Sequence, residues 1–313
     1  MSATRRALVR ALAKINLDLR VLARRPDGYH ELRTIFQTIS LSDTLEIEYT
    51  PARKCTIEVN DPLQIPDNLV TKAAALVMDA MRATGRVEMR LTKRIPMGAG
   101  LGGGSSDAAA VLLALPVLAG RPLDLRKLSE LGQQLGSDVQ FFLLGGTAVG
   151  IGRGTELFPL ESAPARAGVL VAPGLHVNTA QAYRDLSPRL TTESQQNKIV
   201  SFQSHTLGWS GEAPFENDFE SVVFEQHKSL ARWKKRLKRA GASLALMTGS
   251  GSALFGLFES GSEASRAIDL LGDSSKTHRI SLVSRERYRA MWWRALHGLI
   301  EARTWPPRSR DAR

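Results

Sequence analysis

Apolar and polar residues alternate strictly along KINLDLRV, with Ile15, Leu17, Leu19 and Val21 on one side and Lys14, Asn16, Asp18 and Arg20 on the other. A period of two is the mark of a strand with one face buried, so this stretch is expected to be half-buried β-strand. RRPDGYH then reads as a turn, and ELRTIFQTIS, TLEIEY and CTIEVN as three further strands, with Cys55 as a strand residue. After Asp67 and Asn68, either of which is suited to cap a helix, the period lengthens. Leu69, Ala73, Leu76, Val77 and Ala80 share one helical face as far as about Ala83. RVEMRLT returns to strand and runs into a glycine-rich loop. A helix is expected from about Ser105, with Pro116 kinking or ending it, and another over DLRKLSELGQQLG.

The second half opens near Glu156, past the glycines of VGIGRGTEL. AGVLVAP reads as a strand, FESVVFEQHKSLARWKKRLKRAG as one long basic helix, and SLALMTGSGSALFGLF as strand, glycine turn, strand. A helix and the strand RISLVS follow. The pattern predicts an α+β protein with an N-terminal domain over 1–155, a C-terminal domain over 156–284 and a basic tail over 285–313. That tail is expected to be one amphipathic helix with a disordered end, and its Met291, Trp292 and Trp293 to dock on the protein's own surface.

Composition narrows the class. At 313 residues with 43% hydrophobic content the chain has enough apolar surface for about two domains. One cysteine excludes a disulfide framework or cysteine metal cluster and suits a reducing compartment. MSATRRALVR lacks the apolar core of a signal peptide, and the run Ala108–Ala119 is too short to span a bilayer, so a cytoplasmic protein with no membrane partner is expected. The net charge is +11, of which the tail holds a surplus of five, eight arginines against Glu286, Glu301 and Asp311. A solvated tail accounts for that excess, and no nucleic-acid partner is expected. A nucleic-acid-binding protein using the tail and the basic helix around Trp233 to Arg239 is the reading from another class.

The chemistry concentrates in PMGAGLGGGSSDAA, where five glycines stand at the mouth of an apolar helix. Glycines let main-chain amides turn inward, and the unpaired amides and positive dipole end of the helix add to them, making an anion cradle suited to phosphate. Gly98, Gly100 and Gly103 satisfy the dinucleotide spacing G-x-G-x-x-G, but the preceding EMRLTKRIPM alternates charges and ends in proline, unlike a buried dinucleotide-fold strand. No lysine follows the glycines as a P-loop requires, and neither H-R-D nor D-F-G occurs.

AKINLDL, RRPDGYHEL, PMGAGLGGGSSDAA, LGSDVQFFL and MTGSGSALF stand in the order, and at roughly the spacing, of the GHMP small-molecule kinases, and the chain resembles that family from about residue 7 to 284. The resemblance implies a two-domain fold, an N-terminal ribosomal-protein-S5-domain-2-like domain and a C-terminal ferredoxin-like one, with the active site in the cleft between them. RPDGYHEL and GLGGGSSDAA are most similar to the branch that phosphorylates the 2-hydroxyl of the methylerythritol part of a CDP-linked sugar alcohol. Mevalonate- or homoserine-type kinases are the alternative. The implied ligands are ATP, entering with Mg²⁺, and that CDP-linked substrate. ATP would be held by Pro96, Met97, Gly98, Ala99, Gly100, Leu101, Gly102, Gly103, Gly104, Ser105 and Ser106. Either serine is placed to reach the metal or to cap the helix, and no metal ligand is assigned.

By the same resemblance Asp138 is the base and Lys14 the cation that keeps it ionised and offsets charge on the transferred group. Tyr29 stacks on the cytosine, the His30 backbone reads its edge, and Tyr183 closes the other ring face or else fills core. Asn16 and Thr179 lie near the substrate hydroxyls and diphosphate, and Gly249 and Gly251 form a second glycine turn across the cleft. Gln140 stands where the family usually has proline, and Thr155 interrupts its usual acidic pair.

Overall fold

A computed structural model describes residues 4–190, 215–273 and 275–311. Its frame is an antiparallel hairpin of two long strands, β1 (Arg5–Arg24) and β2 (His30–Pro51), joined through the turn carrying Tyr29. ELRTIFQTIS and TLEIEY are therefore one strand and not two. The polar break at Ser40–Asp43 stays within the strand, with Ser42 opposite Leu12 and Asp43 opposite Ala11 beside a register shift. Register shifts after Leu12 and after Asn16 bracket Lys14–Asn16. Such bulges bend a strand and re-aim its side chains.

β3 (Thr56–Asn60), α1 (Leu69–Ala80), β4 (Gly85–Thr92), α2 (Gly103–Ala119), α3 (Leu125–Leu135), α4 (Val139–Leu144), β5 (Thr147–Gly152) and β6 (Glu156–Pro159) follow. The strands form a sheet of order β3-β4-β2-β5-β6 with β1 on β2. Asn68 caps α1 by accepting from Val70 N, and Asp124 caps α3 through Lys127 N. Helix α2 begins two residues earlier than expected, at Gly103, and Pro116 neither kinks it short nor ends it. Pro116 stands in its last turn, three residues before Ala119, and the stop comes from Gly120 in the left-handed region. Cys55 is exposed and precedes β3.

The second half contributes β7 (Ala167–Val171), α5 (Thr179–Leu186), α6 (Glu220–Gln226), α7 (Lys228–Arg239), β8 (Leu244–Met247), β9 (Leu254–Phe258), α8 (Gly261–Leu271) and β10 (Thr277–Ser281). The antiparallel order β10-β7-β9-β8 is the 4-1-3-2 arrangement of a ferredoxin-like unit. The long basic helix is two helices. His227, at φ −123° and ψ 70°, leaves the helical region and separates α6 from α7.

Alternation along the second sheet feeds two cores. Val169, Val171, Met247, Leu254 and Phe258 face its helices, in a cluster that also takes Leu19 and Val21 of β1 and Leu32 of β2. Leu170, Leu246, Phe255 and Leu257 face the first sheet and pack on Ile15, Leu17, Ile35 and Ile39. A third cluster lies under α1–α4.

The tail departs most from expectation. It forms helix α9 (Arg285–Ala295), and the described residues beyond it, through 311, are packed where disorder was expected: Tyr288, Trp292 and Leu296 are buried in the core of the first half, and Ile300 bridges to Ser309. The three residues expected to dock on the protein itself do so: Trp292 is buried in this core, Met291 packs against it, and Trp293 donates its indole N–H to the Thr304 carbonyl at 2.9 Å. No helix among the described residues is long and apolar enough to cross a membrane.

Candidate active site

The polar side of β1, expected to face water, is buried: Lys14 is 4% exposed, Asn16 3% and Asp18 0%. Instead of solvent it meets an open cavity of about 1110 Å³ between the two halves, lined among others by Lys14, Asn16, Gly100, Ser105, Asp138 and Ser250. Buried polar groups need partners, and these have them. Lys14 Nζ donates to Asn16 Oδ1 at 2.8 Å and lies 3.6 Å from Asp138 Oδ2. Asn16 Nδ2 donates to Thr34 Oγ1 at 2.7 Å, and Asn16 Oδ1 also accepts from Gly249 N at 3.0 Å. Asn16 thus ties the hairpin to the glycine turn of the second half.

Asp138 is the N-cap residue of α4, yet its carboxylate makes no capping hydrogen bond. It is turned toward Lys14 and, among the described residues, is the one carboxylate lining the cavity.

The glycine loop reaches α2 through Gly98, Gly100 and Gly102, all at positive φ. Gly102 is the N-cap and offers no side-chain acceptor, and the first intrahelical amide is Ser106 N on Gly102 O at 2.9 Å. The amides before it have no intrahelical partner, which is what an anion cradle needs. Glycine is required at position 100, where a Cβ would lie 2.4 Å from the Thr248 carbonyl oxygen. In return, a Cβ on Gly249 would lie 3.2 Å from the Cα of Gly100, so the two glycine turns touch backbone to backbone.

The eleven loop residues divide. Gly100 and Ser105 line the cavity. Ser106 is 2% exposed and donates its hydroxyl to the Leu12 carbonyl at 2.7 Å, turned away from any phosphate and ion. Ala99 and Leu101 send their side chains into the core between the sheets, while their carbonyls accept from Ala253 N and Lys14 N. Pro96, Met97, Gly98, Gly102, Gly103 and Gly104 are not among the cavity's lining residues, and Met97 is exposed.

At the other end of the cavity stand the aromatics. Tyr29 is half exposed, and the Arg153 guanidinium stacks 3.5 Å from its ring centroid. His30 and Tyr183 stack on each other, centroids 4.6 Å apart and planes at 21°, so one face of Tyr183 is taken. Its ring also meets Phe219 edge-on at 4.8 Å. Burial, with the charge of Asp138 adding, pushes the Tyr183 phenol up to about 12. Burial and then the charge of Arg24 push the His30 imidazole down from its ordinary value, and its Nε2 lies 2.7 Å from Ser187 Oγ. Thr179 Oγ1 is 2.7 Å from Ser250 Oγ, joining the first turn of α5 to the second glycine turn. Gln140 donates to Ser129 Oγ at 2.7 Å, away from the cavity.

Sequence reasoning passed over Arg24, Arg153 and Arg184, which line the cavity and give it a basic wall. It also passed over a buried trio beneath the glycine loop. Lys93 Nζ bonds both Asp43 and Asp107, the latter at 2.6 Å, and Asp43 Oδ1 also accepts from Arg94 N and Ile95 N. Burial, outweighing Lys93, pushes the Asp107 carboxyl up to about 7.

Comparison with known proteins agrees with this geometry. The family described as GHMP kinases N terminal domain matches residues 68–146, and GHMP kinases C terminal matches residues 199–274. The 4-diphosphocytidyl-2-C-methyl-D-erythritol kinase of Solibacter usitatus (strain Ellin6076) is 70% identical over 314 residues, 99% of this chain and 99% of its own. That of Geobacter metallireducens (strain ATCC 53774 / DSM 7210 / GS-15) is 40% identical over 269 residues, 85% of this chain and 94% of its own. A crystal structure of a 4-(cytidine 5'-diphospho)-2C-methyl-D-erythritol kinase superposes with a TM-score of 0.75 at 38% identity, over 88% of this chain and 98% of that one. Homoserine kinase from Cytophaga hutchinsonii, at TM-score 0.68 and 18% identity over 92% of this chain and 98% of that one, shares the fold. The full-length identity, together with a glycine cradle and an acid–amine pair in one cleft, leads to one assignment: the chain belongs to the 4-diphosphocytidyl-2-C-methyl-D-erythritol kinases of the GHMP kinase family.

Proposed function

We infer that this protein transfers the γ-phosphoryl group of ATP to the 2-hydroxyl of 4-(cytidine 5'-diphospho)-2-C-methyl-D-erythritol. The observation that carries this is the Lys14–Asp138 pair, 3.6 Å apart in the same cavity that Gly100 and Ser105 of the cradle line. Phosphoryl transfer asks mainly for positioning and charge neutralisation, and a cradle, a base and a cation supply both. Asp138, with no capping duty, takes the hydroxyl proton as the acceptor oxygen bonds the γ-phosphorus and ADP leaves. Lys14 keeps the carboxylate ionised and offsets the charge on the transferred group. Amides at the head of α2 hold the triphosphate. Tyr29 stacks on the cytosine, His30 reads its edge through the backbone, and Tyr183 braces His30 from behind. Asn16, Thr179 and the arginines Arg24, Arg153 and Arg184 receive the hydroxyls and diphosphate of the acceptor.

Among the described residues no three His, Cys, Asp or Glu side chains group as a metal cage. The Ser105 hydroxyl and the single Asp138 carboxylate fit an ion that arrives on ATP and keeps its phosphate and water ligands, as Mg²⁺ does. Mg²⁺ would supply charge neutralisation on the triphosphate. A cytoplasmic setting agrees with a lone cysteine and these soluble substrates.

Coupled ADP release tests the reading, with the CDP-linked sugar alcohol set against mevalonate and homoserine. Stimulation by the CDP-linked alcohol alone is expected. Turnover with mevalonate or homoserine instead would assign a different acceptor, and no turnover with any of the three would end the kinase reading.

A further inference from the structure

The residues past 284 pack against the short helix that carries Asp138 at its head. Helix α4 has six residues, about 9 Å of helix at 1.5 Å per residue, too short to hold its own shape or direction in isolation. Its last carbonyls are without intrahelical donors, as at every helix end. One is met locally: Gly145 N donates to Phe141 O at 2.8 Å. The next two are met from the tail. Tyr288 Oη donates to Phe142 O at 2.5 Å, and Trp305 Nε1 donates to Leu143 O at 2.9 Å.

The two tail rings also brace each other, meeting at a steep angle with centroids 6.0 Å apart. Tyr288 packs so close to Gly145 at the end of the helix that a Cβ there would fall 2.2 Å from the ring. The next residue, Gly146, is covered by the backbone of Arg285, and the Arg285 guanidinium bonds the carbonyls of Leu160 and Thr147. The far end of α4 is thus held by two side chains of the tail, Tyr288 and Trp305, while Arg285 fastens the same segment to the neighbouring Thr147 and Leu160. Asp138 itself has no hydrogen bond to its own helix that would fix its direction.

We propose that Tyr288 and Trp305 are positioning residues for phosphoryl transfer: by capping the Phe142 and Leu143 carbonyls they fix the direction of α4 and so hold Asp138 against Lys14. The proposal rests on Asp138 being the base. A carboxylate displaced by about an ångström loses much of its effectiveness, because a general base has to lie within hydrogen-bond reach of the proton it removes. Burial raises the Tyr288 phenol well above its ordinary value, so the hydroxyl stays a donor throughout the working pH range.

The test uses the full-length chain with Tyr288→Phe, Trp305→Phe and the double variant, each also made in an Asp138→Asn background. The double variant is expected to lose at least 10-fold in kcat while KM for ATP and for the CDP-linked acceptor stays within 2-fold. In the Asp138→Asn background the same pair of changes should alter the residual turnover less than 2-fold, because the base they position is gone. Wild-type kcat in a folded double variant overturns the proposal. So does an equal fold loss in both backgrounds, which would mean that the tail supports the molecule as a whole. Should Tyr288→Phe fail to fold, Trp305→Phe carries the same comparison alone, with a loss of at least 3-fold expected in the Asp138 background only. Near-normal turnover in Asp138→Asn by itself would remove the base and with it the reading beneath this one.

Discussion

Lys14 Nζ stands 3.6 Å from Asp138 Oδ2 and 2.8 Å from Asn16 Oδ1, a buried ammonium shared between a carboxylate and an amide that also binds the opposite half of the molecule. The pair is asymmetric. The lysine is enclosed, while the aspartate side chain keeps 30% exposure on the cavity side, where an acceptor hydroxyl would arrive.

Asp138→Asn should keep the fold and ATP binding but lose at least ~100-fold in turnover, the usual contribution of a positioned base. Steady-state ADP release, with nucleotide affinity measured separately, checks it. Turnover within a fewfold of wild type would take Asp138 out of its role.

Tyr29→Ala should act on the acceptor and leave ATP alone. Losing a base–aromatic stack costs about 1–3 kcal/mol, roughly a 5- to 150-fold rise in KM for the CDP-linked substrate. An unchanged KM would place the cytosine elsewhere.

Gly100→Ala should drive the two glycine turns apart. Position 100 sits at φ +79°, and the new methyl would meet the Thr248 carbonyl at 2.4 Å. Left-handed backbone alone costs a non-glycine residue about 1–2 kcal/mol. A lower melting temperature together with a higher KM for ATP is expected; a variant melting with the wild type would show that the contact can relax without cost.

Asp107→Asn should change how stability depends on pH. Two carboxylates share the Lys93 ammonium, and Asp43 has the additional backbone donors, so the proton resides on Asp107, whose carboxyl is pushed up to about 7. A carboxyl raised in the folded state binds more protons there than in the unfolded chain. Its contribution is therefore full below about pH 4 and is lost as pH rises toward 7. Denaturant midpoints measured across that window should fall less steeply for the variant than for the wild type, and parallel curves would refute the assignment.

The periodic elements were legible in the sequence. The alternation of KINLDLRV, the Asn68 cap and the strand–turn–strand of SLALMTGSGSALFGLF all correspond to observed structure. What escaped was set by tertiary context. Ser40–Asp43 looks like a loop by composition, yet it lies within β2, where β1 pairs Ser42 and Asp43. The tail reads as a charge run because of its arginines, although Tyr288, Trp292 and Leu296, at spacing i, i+4, i+8, already marked the buried stripe that anchors it. At the site, no local pattern links Lys14 to Asp138; that pairing came only through resemblance to a family. Arg153 and Arg184 stand singly at separate places that the fold brings to one cavity, and Arg24, although it opens the RRPDGYHEL motif, has no local pattern that points it there.

The hairpin β1–β2 lends Leu19, Val21 and Leu32 to the apolar interior of the ferredoxin-like half. A polypeptide cut at the apparent boundary near residue 156 would leave that half with an unfilled gap where three aliphatic side chains belong. The two halves are thus interdependent as folding units. Each fragment expressed singly should aggregate, and the pair should regain order only by complementation, when the hairpin is returned in trans.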